Sequence, residues 1–173
     1  MQKRAQRGFT FVELLIATGI LLFGIVAILQ VVPDAMQANL RNRYDSTAVV
    51  IAERYLDQML SQPLTVNQFT NADGVVMNLG GAAGFQGSPL TTMNLVGGQV
   101  NVLVNFQVNP VAGYNLQYAD PNEPVGIRYE VRWAVNTVLS GPTIVSKRFF
   151  VGVWKRDPRV VLPPVTIEAW VQR

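Results

Sequence analysis

The chain has 173 residues, enough for one domain with an appendage, and its three Trp, five Tyr and eight Phe suffice to build a core. It has no Cys and no His, which excludes disulfide bridges, Cys or His metal sites, thiol nucleophiles and imidazole bases. The net charge of +3 comes from Lys3, Arg4 and Arg7: without residues 1–8 the 14 basic residues fall to 11, equal to the 11 acidic ones, and most of the case for electrostatic binding of nucleic acid goes with them.

The first predicted element is apolar. From Leu14 to Leu29 no residue is charged and only Thr18 is polar. Phe9 to Val32 is a stretch of 24 residues, interrupted by Thr10, Glu13, Thr18 and Gln30. As a helix it extends roughly 36 Å, more than the bilayer core of about 30 Å. Basic residues precede it, so the positive-inside rule puts the N-terminus in the cytoplasm and the bulk of the chain outside. A secretory signal peptide explains the basic start and the apolar run. It does not explain Glu13, and AILQVVPDA offers small-residue cleavage positions poorly. A plain single-pass anchor also bears Glu13 as a cost, about 2.5–3.5 kcal/mol at a helix centre and less near an end. A carboxylate in such a place calls for a partner.

RGFTFVEL, residues 7–14, together with the apolar run behind it, resembles the N-terminus of type IV prepilins and type II secretion pseudopilins. A short basic leader ends in Gly8. Phe9 and Thr10 follow, and Glu13 stands fifth after the glycine. The resemblance implies that a membrane aspartyl peptidase cuts between Gly8 and Phe9 and methylates the new N-terminus. It implies that Glu13 is the assembly carboxylate. The expected partners are the prepilin peptidase and methyltransferase, other pilin subunits through the N-terminal helix, and an inner-membrane assembly platform. No cofactor and no enzymatic activity are implied. Cutting after Gly8 would create an ammonium on Phe9, and an unpaired ammonium and an unpaired carboxylate each pay a desolvation penalty in an apolar bundle. Pairing Glu13 with the Phe9 amine of a neighbouring subunit offsets both and sets the axial register.

Residues 1–8 are thus read as a cleaved leader and 9–33 as the transmembrane and assembly helix. Pro33 is expected to kink or locally melt the helix. An amphipathic helix follows over 34–62: Leu40, Tyr44, Ala48, Ile51, Tyr55 and Met59 recur at three- or four-residue spacing, and Pro63 stops it near Gln62. Residues 63–98 are rich in Asn, Gly, Thr and Gln and read as a loop region, with a short strand over 75–79. GGAAGFQGSP lacks the Gly-Lys-Ser/Thr of a phosphate loop and reads as flexible surface. Residues 99–173 read as the antiparallel sheet of the head. QVNVLVNFQVN, 99–109, alternates, with Val100, Val102, Val104, Phe106 and Val108 on one face. Over 127–138, Ile127, Tyr129, Val131, Trp133 and Val135 share one face, and Arg128, Glu130, Arg132 and Asn136 the other. Ser140, Gly141 and Pro142 make a turn; 144–154 and 165–171 supply two more strands. One long helix followed by antiparallel strands predicts an α+β fold with the helix across one sheet face, the type IV pilin-like arrangement.

Residues that carry chemistry are few. Ser146 and Lys147 are adjacent, but neighbours on a strand face opposite ways. Asn71 with Asp73, and Asp120 with Asn122 and Glu123, place oxygens in loops where some pseudopilins bind calcium; neither cluster has EF-hand spacing, and solvated turns are the better reading, so no metal is expected. Lys147, Arg148, Lys155, Arg156 and Arg159 form a basic group, either a solvated sheet edge or a DNA-capturing surface. YEVRWAV, the turn, KRFFVGVWKR and the terminal VTIEAWV are similar to the head sheet of minor pilins, and Ile20, Leu21, Phe23 and Gly24 to their stem. The expected function is therefore a minor type IV pilin, a structural subunit near the pilus tip that helps initiate assembly. A minor pseudopilin of type II secretion and a DNA-binding tip subunit of a competence pilus are the alternatives. The expected location is the inner membrane, then a fibre.

Overall fold

A computed structural model describes residues 10–94, 100–121, 127–156 and 162–172. One helix, α1 (Phe11–Leu60), is followed by nine strands: β1 (Gln68–Thr70), β2 (Val76–Asn78), β3 (Gly84–Gly87), β4 (Leu90–Asn94), β5 (Val100–Val104), β6 (Asn115–Tyr118), β7 (Arg128–Ser140), β8 (Thr143–Arg156) and β9 (Val165–Gln172). Contacts divide the chain into two units between Asn42 and Arg43.

In the first unit the apolar side chains of α1 are exposed, among them Phe11, Ile20, Leu22, Phe23 and Leu29. Pro33 lies inside the helix, which is assigned without a break from Phe11 to Leu60. The expected local melting is therefore not seen. Proline removes one backbone donor, and the remaining bonds of the helix are enough to carry it on. The helix ends at Leu60, two residues short of the sequence-based boundary. Pro63 lies just beyond it, and Ser61 and Gln62 close the last turn with backbone bonds to Asp57 and Met59.

In the second unit the stripe Ala48, Ile51, Ala52, Tyr55, Leu56 and Met59 is buried, at the three- and four-residue spacing of one helix face. It packs against Tyr129, Val131, Trp133 and Val135 of β7 and Phe149, Val151 and Val153 of β8. The indole N–H of Trp133, fully buried, donates to Asn78 O at 2.8 Å. The main sheet has the order β3-β7-β8-β9, and β6 joins the same edge of β7 as β3, further along the strand. All its pairings are antiparallel. Gly141, at φ 60°, and Pro142 form the two-residue turn between β7 and β8, and a positive φ there suits glycine.

The opposite face of this sheet is not open to water over its whole length. The β4–β5 hairpin lies on it, and Val104 and Phe106 pack against Ala134 and Phe150. Gly152 makes the close approach possible: a Cβ there would stand 2.6 Å from Val104 Cβ. Three sequence expectations are corrected here. The region 63–98 holds four strands, only one of which, β2, was anticipated. GFQG within GGAAGFQGSP is β3 of the main sheet; its glycines at positive φ hide any strand pattern. The alternation over 99–109 ends as a strand at Val104, and Val108 is exposed. Glu130 and Arg132 lie on the face away from the helix, as their alternation predicts, yet they are only 4% and 1% exposed.

Their burial has a local account. Arg132 pairs with Glu130, Nη2 to Oε1 at 2.6 Å, while its Nη1 donates to Asn105 O and Val108 O at 3.1 and 2.7 Å. Its guanidinium stacks over Phe106. The other Glu130 oxygen receives Arg156 at 2.6 Å. The triad therefore clamps the chain just after β5 to β7, and it supplies the donors that the loop carbonyls need where water is excluded.

Candidate assembly site

The N-terminal turn of α1 is built by four residues. Leu14 N donates to Thr10 O, so Thr10 is the cap of the helix. Its hydroxyl accepts from the Glu13 backbone N–H at 3.3 Å, and Glu13 Oε2 accepts from the Thr10 N–H at 3.3 Å and its hydroxyl at 3.4 Å. This reciprocal pair is a capping box, T-x-x-E, which satisfies donors that a helix start otherwise leaves unpaired. The signal is present in the sequence, Thr three residues before Glu, though the apolar run around it makes Glu13 look isolated. Glu13 thus has a partner within its own helix. A carboxylate has two oxygens, and the cap uses Oε2 alone, so a cation can be received at Oε1 with the cap intact. Gly8 and Phe9 lie outside the described residues.

Behind this turn the helix is apolar and long enough to cross a membrane, and none of that apolar window is buried within the chain. Thr18, the polar residue of the run, returns its hydroxyl to Leu14 O at 2.8 Å and so exposes no unpaired donor to the apolar surroundings.

The loop candidates for metal resolve differently. Asp73 Oδ1 accepts from Arg54 at 2.7 Å and Oδ2 from the Tyr55 hydroxyl at 2.9 Å. Asn71, buried, accepts the N–H groups of Asp73 and Val75 and so shapes their turn. Both Asp73 oxygens thus tie the β1–β2 connection to α1, and the carboxylate serves the fold. Asp120 borders a depression of about 420 Å³ with Arg54 and Tyr118. Asn122 and Glu123 lie outside the described residues. Among the described residues no three acidic groups converge.

Burial, reinforced by the bond to Asp73, pushes the Tyr55 phenol well above its ordinary pKa. The sign for stability follows. Above about pH 10 the unfolded phenol ionises while the folded one keeps its proton. The unfolded state then binds fewer protons, so stability falls as pH rises. Lys147, lowered by burial, acts in the opposite sense over the alkaline range up to its unfolded pKa. Tyr55→Phe isolates the tyrosine. It is expected to cost about 1.5–3 kcal/mol at neutral pH, and the gap between wild type and variant should narrow as pH rises past 10 in urea titrations. A gap that stays constant with pH would count against this assignment.

The basic group does not form one surface. Lys147 and Lys155 point to the helix side of β8 and are 1% and 4% exposed. Lys147 donates to Val66 O at 2.7 Å, and Lys155 stacks on the Tyr44 ring. Arg148 and Arg156 lie on the other side, paired with Glu168 and Glu130. Alternation along the strand divides them, and carboxylates neutralise the two that remain accessible. Arg159 lies outside the described residues.

An exposed apolar helix that continues into a head of antiparallel strands defines an α+β, type IV pilin-like arrangement. Residues 3–29 match the prokaryotic N-terminal methylation motif. This motif is consistent with a type IV pilin or pseudopilin, marks structural subunits that are not enzymes, and implies processing by prepilin peptidase and assembly with other pilins. Motif and helix together fit an inner-membrane-anchored pilin that ends in a pilus. No curated protein and no solved structure matches the chain.

Proposed function

We propose that the chain is a minor type IV pilin, a structural subunit built into a pilus near its tip and helping to initiate its assembly. The observation that carries this reading is the methylation motif on residues 3–29, which opens directly into a helix long and apolar enough to cross a membrane. The N-terminus lies in the cytoplasm until cleavage and the head outside. The peptidase cuts between Gly8 and Phe9, and Phe9 is methylated. Glu13 then receives the Phe9 ammonium of a neighbouring subunit while it holds its own cap. The minor-pilin assignment rests on the sheet strands YEVRWAV, KRFFVGVWKR and VTIEAWV and their similarity to that branch.

Processing tests the reading. Mass spectrometry of fibre-incorporated protein should show a chain that begins at methylated Phe9. Retention of residues 1–8 in fibres would sink the proposal. Deletion then separates the systems. Loss of pili with secretion intact supports a type IV pilin, and loss of exoprotein secretion with pili intact identifies a pseudopilin.

Five segments make up the precursor: the leader 1–8, the assembly helix 9–33, the amphipathic helix 34–62, and a head whose parts, 63–98 and 99–173, form one folded unit with that helix from Arg43 onward. The buried stripe starts at Ala48, and the exposed apolar residues concentrate before Met36. A fragment from Gln37 to Arg173 is therefore expected to be soluble, cooperative in unfolding and monomeric at micromolar concentration. Sedimentation of the purified fragment checks this, and aggregation would move the boundary of the head.

A further inference from the structure

The β4–β5 hairpin covers only part of the sheet face opposite the helix. Beyond it the face stays open, and one cross-strand row there ends in aromatic rings. Phe85 of β3 stands opposite Asn136 of β7, Asn136 opposite Arg148 of β8, and Arg148 opposite Trp170 of β9. Directly opposed residues project to the same side, and two contacts confirm the side here: Phe85 and Arg148 both pack on Phe150, which borders the hairpin. The row crosses three strand spacings, about 14 Å. At its two ends are aromatic rings exposed to 62% and 66%.

Between the rings lie polar groups with spare valence. Arg148 spends one nitrogen, Nη2, on both oxygens of Glu168, at 2.7 and 2.8 Å. Its Nε and Nη1 donors have no partner among the described residues. Neither does the Asn136 side-chain amide, nor the Trp170 indole N–H. Past Phe85 the row runs into an apolar depression of about 440 Å³, floored by Pro89, Leu90 and Val102.

The geometry points to a binding site for a neutral polysaccharide, lying across the sheet from Phe85 to Trp170. Three observations select this ligand. The rings are flat apolar platforms with electron-rich faces, suited to the C–H faces of pyranose rings. The groups between them both donate and accept, as sugar hydroxyls do. The row carries no net charge, because Glu168 neutralises Arg148, whereas a strand of nucleic acid needs uncompensated cations along its path. The inference does not depend on which fibre the chain joins.

The test uses the full mature chain in a zwitterionic detergent without a sugar headgroup. The probes are immobilised hydroxyethyl cellulose, laminarin, soluble starch and glycol chitin, with heparin and oligo(dT) for comparison, at low and high salt. Saturable retention on at least one of the neutral polysaccharides is expected, unchanged by salt. Trp170→Ala should weaken it roughly tenfold or more, and Asn136→Ala should weaken it measurably. Trp170 is exposed, so the variant should keep the wild-type circular dichroism and unfolding midpoint. Binding to none of the neutral probes would overturn the proposal. So would binding that Trp170→Ala leaves intact, or salt-sensitive retention on heparin or oligo(dT) alone. If Trp170→Ala instead abolished only self-association, seen by sedimentation, the row would be an interface between copies and the proposal would fail.

Discussion

Glu13→Leu is expected to reach the membrane at wild-type level or above and to be nearly absent from fibres, at least about tenfold below wild type, which corresponds to roughly 1.4 kcal/mol. Insertion improves because a carboxylate leaves an apolar span. Assembly fails because the neighbouring Phe9 ammonium is left desolvated and unpaired. The capping box complicates this experiment and also supplies its control. Glu13→Leu removes two things together, the charge and the bond to the Thr10 N–H. Glu13→Gln removes only the charge, since a glutamine oxygen accepts the same bond. If pairing with a neighbour's amine is the function of Glu13, both variants fail in sheared-fibre fractions. If the cap is the function, Glu13→Gln assembles normally and only Glu13→Leu fails, by the loss of a cap of typically about 1 kcal/mol. Normal incorporation of Glu13→Gln would therefore remove the intermolecular pair from the mechanism. A subunit at the extreme tip has no neighbour ahead of it, so a chain in that one place tolerates both changes; comparing incorporation with an internal subunit as reference controls for this.

The largest effect on the head is expected at Glu130. Glu130→Leu leaves Arg132 charged and 1% exposed, with only the carbonyls of Asn105 and Val108 to receive it. Breaking a buried pair from one side typically costs about 3–5 kcal/mol. A head of 131 residues, Arg43–Arg173, has a total stability of about 5–15 kcal/mol, so the variant is expected to be marginal. The informative partner is the double variant Glu130→Leu with Arg132→Met. It removes both charges, keeps apolar bulk against Phe106, and should recover most of the loss. Urea midpoints of the fragment from Gln37 measure both. A single variant as stable as wild type would show that the triad does not hold the loop to the sheet, and a double variant no better than the single would show that the carbonyl bonds of Arg132 matter more than its charge. Arg156, half exposed, contributes less because solvent screens it.

The basic group bears on the DNA-binding alternative. Five residues within thirteen positions, from Lys147 to Arg159, look like a patch when counted along the chain. In space two are buried on the helix side of β8 and two are held by carboxylates on the other. Attraction of nucleic acid depends on uncompensated charge on one surface, and no such surface forms from these four.

Several features of this protein were determined by the sequence alone, because each rests on interactions between residues close in the chain. The helix and its buried stripe from Ala48 to Met59 follow from a period of 3.6. The strands β7, β8 and β9 follow from alternation and from the Gly141–Pro142 turn. The prepilin-type start follows from Gly8, Phe9, Glu13 and the apolar run, and the capping box from Thr10 and Glu13. Tertiary structure decided the rest, because burial depends on what arrives from far along the chain. Glu130 and Arg132 alternate with Val131 and Trp133 as solvated residues would, and only the arrival of Val104 and Phe106 on that face encloses them. Short strands such as β3 and β6 have too few residues for a period and are strands because β7 offers them its edge. The row from Phe85 to Trp170 joins positions as far apart as 85 residues in sequence, and it exists only through the register of four strands.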